Sequence, residues 1–352
     1  MRLTTPSVIL AASLLLLLAG FAGAGCSAQD PQNTLAAVGH VARKQQELFW
    51  TIFWWAVGVF VVVEGLLLFI VVRFRQRPGQ PEPAQVHGNT RLELAWTVAP
   101  TLVLASIAVP TVASIFDLAD TPAVALRVTV TGHQWWWEFQ YPDLAVVTAN
   151  EMHLPVGEAV DLTLESADVI HSFWVPKLAG KQDAIPGSQR KMWLRAAEGP
   201  GEFYAQCAEL CGIQHANMKF RVKVQSRDDF NRWVRDQRTA PGEPTGEEAR
   251  GRQVFANPAN QCIACHTIDG VPGAAGKTGP SLTHFGGRST LAAGMLDNNA
   301  DRNPLNTNLA RWLRNPDEVK PGNIMAERFK QAGIRLSDAD ISALVVYLQS
   351  LK

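Results

Sequence analysis

Residues 207–218 read Cys-Ala-Glu-Leu-Cys-Gly-Ile-Gln-His-Ala-Asn-Met, which gathers two thiols, an imidazole and a thioether into one short stretch. Soft sulfur together with imidazole selects copper over magnesium or calcium, whose ligands are oxygens. A blue-copper site takes one upstream His plus a Cys, a His and a Met from a single loop. Here Cys211, His215 and Met218 supply the loop set, and His171 is the natural upstream imidazole. Cys207 is then surplus to a single ion. Two thiolates on one turn can instead bridge a pair of metal ions, each completed by one His and one weak ligand. A Cys207–Cys211 disulfide would leave His171, His215 and Met218 without a role, and a zinc site of two Cys and two His would leave Met218 aside.

Further along stands Cys262-Ile-Ala-Cys265-His266. At this spacing two thiols form thioethers with the vinyl groups of a haem, and the adjacent His ligates its iron. A redox dithiol beside a His is the other reading of the same five residues. A helical pattern over 251–255 and the string Gly279-Pro-Ser-Leu282 favour the haem. The sixth ligand should be a methionine, which raises the iron's potential. Met325, which follows Pro321-Gly-Asn-Ile and precedes the last helix, is preferred for this role over Met295, read as a packing residue. His40, His87, His133, His153 and His284 are read as structural or solvent-facing.

Two redox motifs need elements to hold them. The chain has 352 residues, enough for two folded domains plus membrane segments, and its 32 Lys+Arg balance its 32 Asp+Glu. That neutrality gives no support to a nucleic-acid partner, and no phosphate-cradling Gly-rich loop is present. Residues 1–25 have the form of an export signal: Arg2, an apolar stretch, then mostly small residues leading to Cys26. Cys26 is either the acylated first residue of a lipoprotein or a bystander to cleavage near Ala24.

Apolar runs at 49–72 and 94–116 are each long enough to cross about 30 Å of hydrocarbon. Trp50, Trp54 and Trp55 form an interfacial belt at the start of the first run. Pro100 and Pro110 interrupt the second tolerably. The arginine-rich loop over 73–91 would lie in the cytoplasm, which places everything after about residue 117 outside. Glu64, within the first span, is either a protonated or paired group against a partner helix or part of a proton path.

Beyond residue 125, short alternating segments at 126–131, 135–141, 159–164, 191–195 and 218–224, punctuated by Gly, Pro and Asn/Asp, predict a β-sandwich. A charged helix over 227–238 and a Pro/Gly-rich stretch at 239–246 lie in a linker, 226–245, and the remainder to 352 is helical. Ser337 caps the last helix, whose inner face carries Ile341, Leu344, Val345 and Leu348.

The strings Gly-His-Gln-Trp-Trp-Trp-Glu-Phe (132–139), Asp-Val-Ile-His-Ser-Phe-Trp-Val-Pro (168–176), Lys-Gln-Asp-Ala-Ile-Pro-Gly (181–187) and the 207–218 loop resemble subunit II of the haem–copper cytochrome c oxidases. The likeness covers about residues 45–225, and the C-terminal part resembles a small class I cytochrome c. The resemblance implies a transmembrane hairpin (45–118), a cupredoxin-like copper A domain (122–225) and an all-α cytochrome c domain (246–352). It implies a binuclear copper A centre held by His171, Cys207, Cys211, His215, Met218 and the backbone carbonyl of Glu209. The Glu209 side chain would reach a magnesium ion at the interface with subunit I.

Trp135 matches the family's electron-entry aromatic, with sandwich packing as its other reading. Glu93 matches the acid at a proton-channel mouth, or is an ordinary interfacial acid. The implied partners are oxidase subunits I and III and a donor cytochrome c or cytochrome-containing complex. Electrons would pass through haem c (Cys262, Cys265, His266, Met325) and copper A to subunit I, where O2 is reduced to water with proton pumping. The location would be a bacterial plasma membrane, with both redox domains on its outer face. The competing reading is a membrane-tethered copper–haem carrier outside any oxidase. Nitrous oxide reduction would require a His-rich catalytic copper domain that eight scattered histidines do not supply. Quinol oxidase subunits lack the copper cysteines.

Overall fold

The computed structural model describes residue 27 and residues 29–82, 85, 87–122, 125–195 and 199–352. The expected export segment 1–25 and Cys26 lie outside the described residues. Helices α1 (His40–Arg73) and α2 (Thr90–Ala119) come first, and both contain an apolar window long enough to span a bilayer that nothing else among the described residues covers. The apolar runs at 49–72 and 94–116 therefore lie within longer helices, the first run filling the C-terminal part of α1. Asn89 starts α2 by accepting from the amides of Arg91 and Leu92. Glu93 Oε1 accepts in turn from Asn89 N at 3.1 Å, so two of the helix's unpaired early donors and the cap's own amide are satisfied reciprocally.

The open end of the hairpin is tied to the next domain. Val38 N and Gly39 N both donate to Lys177 O, at 2.8 and 2.9 Å. Trp193 Nε1 donates to Leu118 O at 3.0 Å, and Lys44 pairs with Asp117 across the two helices. Gly39 is obligatory at this junction, since a Cβ there would lie 2.3 Å from Leu178 O.

Ten strands follow: β1 (Ala125–His133), β2 (Trp136–Tyr141), β3 (Val146–Ala149), β4 (Glu151–Pro155), β5 (Ala159–Ser166), β6 (His171–Trp174), β7 (Lys181–Ala184), β8 (Arg190–Arg195), β9 (Gly201–Cys207) and β10 (Lys219–Gln225). They form two five-stranded sheets, ordered β3-β2-β1-β5-β8 and β4-β10-β9-β6-β7. The β1–β5 and β4–β10 pairs are parallel and the others antiparallel. Alternation puts Val128 and Val130 of β1 and Val160, Leu162 and Leu164 of β5 on inner faces. There they meet an aromatic cluster of Trp137, Phe139, Phe173 and Phe220, with the Phe173 and Phe220 rings stacked at 4.9 Å.

The expected linker is shorter than 226–245. Helix α3 (Arg227–Arg238) packs back onto the sandwich, burying Phe230 and Val234 in its core and stacking Trp233 on His153 at 4.1 Å. Only 239–245 connects the domains. The C-terminal domain contains α4 (Gly246–Ala256), α5 (Cys262–Cys265), α6 (Asn308–Arg314), α7 (Pro316–Val319), α8 (Ile324–Ala332) and α9 (Asp338–Ser350). Ser337 Oγ accepts from Asp340 N, and Ile341, Leu344, Val345 and Leu348 are buried, as the sequence pattern predicts. Helices α4 and α9 cross at Gly251, where a Cβ would lie 2.1 Å from Ala343 O. One departure from an all-helical reading is a small ribbon, β11 (Thr290–Leu291) with β12 (Leu296–Asp297). Its turn holds the half-buried Met295.

Candidate metal centre and haem pocket

The copper ligands predicted from sequence converge at one end of the sandwich. His171 opens β6, Cys207 closes β9, and the loop from there to β10 carries Cys211, His215 and Met218. Phe173 pairs in register with Cys207, which brings the upstream His beside the loop. His171 Nδ1 lies 3.9 Å from Cys207 Sγ. Cys211 Sγ lies 3.8 Å from Cys207 Sγ, 3.7 Å from His215 Nδ1 and 3.8 Å from Met218 Sδ. Cys207 Sγ also faces the Glu209 carbonyl at 3.2 Å. The sulfurs are far beyond the roughly 2.05 Å of a disulfide. His171, Cys207 and Cys211 are all buried, with ligand atoms within 4.8 Å of one another.

The electrostatics suit cations. The two thiols titrate against each other: the Cys211 hydrogen bond holds Cys207 well below the usual thiol range, and the same contact pushes Cys211 up. They titrate as a pair, and a bound cation removes the conflict. Burial opposes protonation of His171, but its bonds to Asp168 and Cys207 outweigh this and raise it. Asp168 was not singled out as a site residue from the sequence. Its Oδ1 lies 2.7 Å from His171 Nε2, which fixes the proton on Nε2 and turns the Nδ1 lone pair toward the sulfurs. Gln134 Nε2 and Trp135 Nε1 both donate to Cys211 O, at 2.7 and 3.1 Å.

In the C-terminal domain, Cys262, Cys265, His266 and Met325 line one largely apolar cavity. His266 Nδ1 donates to Pro280 O at 2.8 Å, leaving Nε2 as the free ligand atom, and burial keeps the ring neutral by lowering its pKa. Gly279 lets the loop pass the ring, since a Cβ there would lie 2.4 Å from His266 Cε1. Arg288 also lines the cavity, and its buried Nε has no partner among the described residues. The two thiols, the imidazole and the guanidinium on this apolar lining fit a flat apolar group that carries two thiol-reactive vinyls, an iron and carboxylates, as a haem does. Met295 does not line the cavity, so Met325 is the methionine brought to His266.

The copper domain supplies part of the cavity wall, including Trp135, Trp136 and Asn150. Trp136 Nε1 donates to Thr278 O at 3.2 Å. Lys320 Nζ, on a buried side chain, donates to Trp135 O at 2.7 Å, and burial pushes its ammonium down to about 7. Lys320 is a second contributor that sequence reading missed; a lone Lys before Pro-Gly carries no local signal.

Comparison with known proteins agrees with this geometry. Residues 32–113 match the transmembrane domain of cytochrome c oxidase subunit II, 145–225 its periplasmic domain, and 248–352 cytochrome c. Cytochrome c oxidase subunit 2 of Alkalihalophilus pseudofirmus is 43% identical over 302 residues, covering 84% of this chain and 83% of the relative. The chain belongs to the cytochrome c oxidase subunit II family.

The subunit of Bacillus subtilis is 35% identical over 341 residues, covering 91% and 92% of the two chains. The solved periplasmic domain of subunit II from Bradyrhizobium japonicum aligns with 34% of this chain and 97% of its own, at 35% identity and a TM-score of 0.33. Membership implies copper A in the sandwich, and the cytochrome c domain implies a haem. The ligand set above fits the first, and the cavity fits the second. The remaining expected site residues are placed less decisively. The Glu209 side chain is exposed, Glu93 caps α2, and Glu64 sits half-exposed in the C-terminal third of α1. His133, His153 and His284 make ring or hydrogen-bond contacts in the folded domains: His133 stacks on Trp136, His153 on Trp233, and His284 Nδ1 meets Lys352 O.

Proposed function

We propose that this subunit relays electrons one at a time from a donor cytochrome to oxidase subunit I. When bound, haem c at His266 and a copper pair at the 207–218 loop supply reversible one-electron chemistry, feeding a partner that reduces O2 to water with proton pumping. The observation that carries the reading is a continuous bonded route between the two ligand sets. Peptide bonds join His266's partner Pro280 to Thr278, whose carbonyl accepts from Trp136. The adjacent Trp135 donates to the Cys211 carbonyl. Its place on this route supports the electron-entry role that the family resemblance implies for Trp135.

Each side chain has a definable task. His171, Cys207, Cys211, His215, Met218 and the Glu209 carbonyl would hold two coppers; Asp168 orients His171. Cys262 and Cys265 would anchor the haem, and His266 and Met325 would ligate its iron. Exposed Glu209 and the 77% exposed Leu210 sit at the loop tip, where they would meet subunit I and a magnesium ion. Glu93 would stand at a proton-channel mouth at the inner membrane surface, and subunit III would complete the assembly. The hairpin would place both redox domains outside the plasma membrane.

Metal analysis and EPR of the purified membrane complex test this directly. Two coppers per covalent haem and co-purification with a multi-span haem subunit are expected, and His266→Ala should block reduction by a donor cytochrome while small reductants still reach the copper. A lone zinc at the loop refutes the relay. Purification free of any oxidase subunit would favour the tethered-carrier alternative.

A further inference from the structure

The buried carboxylate of Glu151, on β4 of the copper domain, has no part in either ligand set. It is 1% exposed, and its Oε1 accepts four bonds from the cytochrome domain: Ser289 N, Ser289 Oγ and Thr290 N at 2.8 Å, and Thr290 Oγ1 at 3.1 Å. Its Oε2 lies 2.8 Å from Lys223 Nζ of β10. Burial alone would raise this carboxyl, but Lys223 and Ser289 outweigh it and hold it below its ordinary value. Around it, Lys219 N donates to Ala293 O at 3.2 Å and Arg221 Nη2 to Gly294 O at 3.3 Å. The segment that bonds to Glu151 is the start of the β11–β12 ribbon.

We infer that Glu151 is the positioning residue that seats the cytochrome domain on the copper domain in one orientation, with the haem cavity held against Trp135 and Trp136. A carboxylate removed from water is tolerated only where donors replace its hydration. Apart from Lys223, every donor to Glu151 comes from the other domain. Two consecutive backbone amides and two hydroxyls aimed at one oxygen fit a carboxylate in a single pose. An apolar contact among Trp136, Ala149 and Ala293 beside it could slide; this anion site cannot.

The inference rests on the relay reading, because orientation matters only if electrons cross between the domains. In the intact membrane complex, Glu151→Ala should speed amide hydrogen exchange across 286–298 by about thirty-fold or more, the usual consequence of truncating one partner of a buried hydrogen-bonded charge pair. Glu151→Gln, which keeps one acceptor oxygen and the shape, should give a smaller increase. Haem-to-copper transfer after flash reduction should slow at least ten-fold in Glu151→Ala, with copper EPR and haem absorption unchanged. Unchanged exchange over 286–298 overturns the inference. So does equal loosening of β5, which would make Glu151 a support of the sandwich, or an unaltered internal transfer rate in a loosened variant. If the unmodified complex lacks the copper or haem signals, the relay fails, while the exchange result still reports on the seat.

Discussion

Replacing Asp168 by Asn removes one negative charge and little volume, which makes it a sharp test of how the copper loop is organised. His171 is fully buried, with Nε2 2.7 Å from Asp168 Oδ1 and Nδ1 3.9 Å from Cys207 Sγ. The carboxylate therefore sets which nitrogen is free and makes that nitrogen a stronger donor. Its Oδ2 also accepts from Gln134 N at 2.6 Å, so an amide there must turn an N–H toward either Gln134 N–H or the imidazole N–H. One of the two contacts is lost whichever way the amide is flipped. Loss of an outer partner of a metal-binding His costs about 10–100-fold in metal affinity, or about 1.4–2.7 kcal/mol. Copper affinity measured by competition with a chelator should fall within that range, with the EPR spectrum still that of a copper pair. The haem absorption, in the other domain, should not change. An affinity within two-fold of the unmodified protein would refute the claim that Asp168 orients and charges His171.

Three further outcomes follow from the geometry. Cys207→Ser should abolish the paired-copper EPR signal while the haem stays reducible, and a surviving signal would remove Cys207 from the ligand set. Gly251→Ala forces a methyl group to within 2.1 Å of Ala343 O; such overpacking costs about 1–3 kcal/mol, so thermal unfolding of the cytochrome domain should shift down, and an unchanged melt would show that the α4–α9 crossing yields. The Glu151 carboxyl sits below its ordinary value of 4.5, so its contribution is complete above that pH and is lost as pH falls through the lower folded value. Buried His153, pushed down to about 4 by burial, adds to the loss on acidification. Exchange protection over 286–298 should persist at pH 5 and above and collapse only in stronger acid; collapse near neutrality would contradict this.

Most of the candidate ligand set is legible in the sequence because it is local. Cys207, Cys211, His215 and Met218 fall on one loop, and Cys262, Cys265 and His266 on one turn, so spacing alone reports them. His171 was found from its string, and Met325 from its position before the last helix. Strands with clean alternation, such as β1 and β5, were legible for the same reason. In contrast, β4 is buried along its whole length and reads Glu-Met-His-Leu-Pro, with no alternation to betray it. Glu151 and Lys320 act through partners 138 and 185 positions away, a relation no local pattern encodes. The sequence marks α3 as a helix but not as part of the sandwich, since only the folded sheets supply the surface that buries Phe230 and Val234.

The length of α1 sets a height. At about 1.5 Å per residue, 34 residues make a rod of about 50 Å against about 30 Å of hydrocarbon. The surplus at its start, where Val41 and Ala42 are buried, is clamped to the sandwich by the bonds of Val38 and Gly39 to Lys177 O and of Ala42 to Leu178 O. With the apolar stretch immersed, that rigid post acts as a ruler. Adding or deleting one turn between Val41 and Phe49 would raise or lower the 207–218 loop by about 5 Å relative to the lipid surface, and in the proposed relay would misalign it with its electron acceptor.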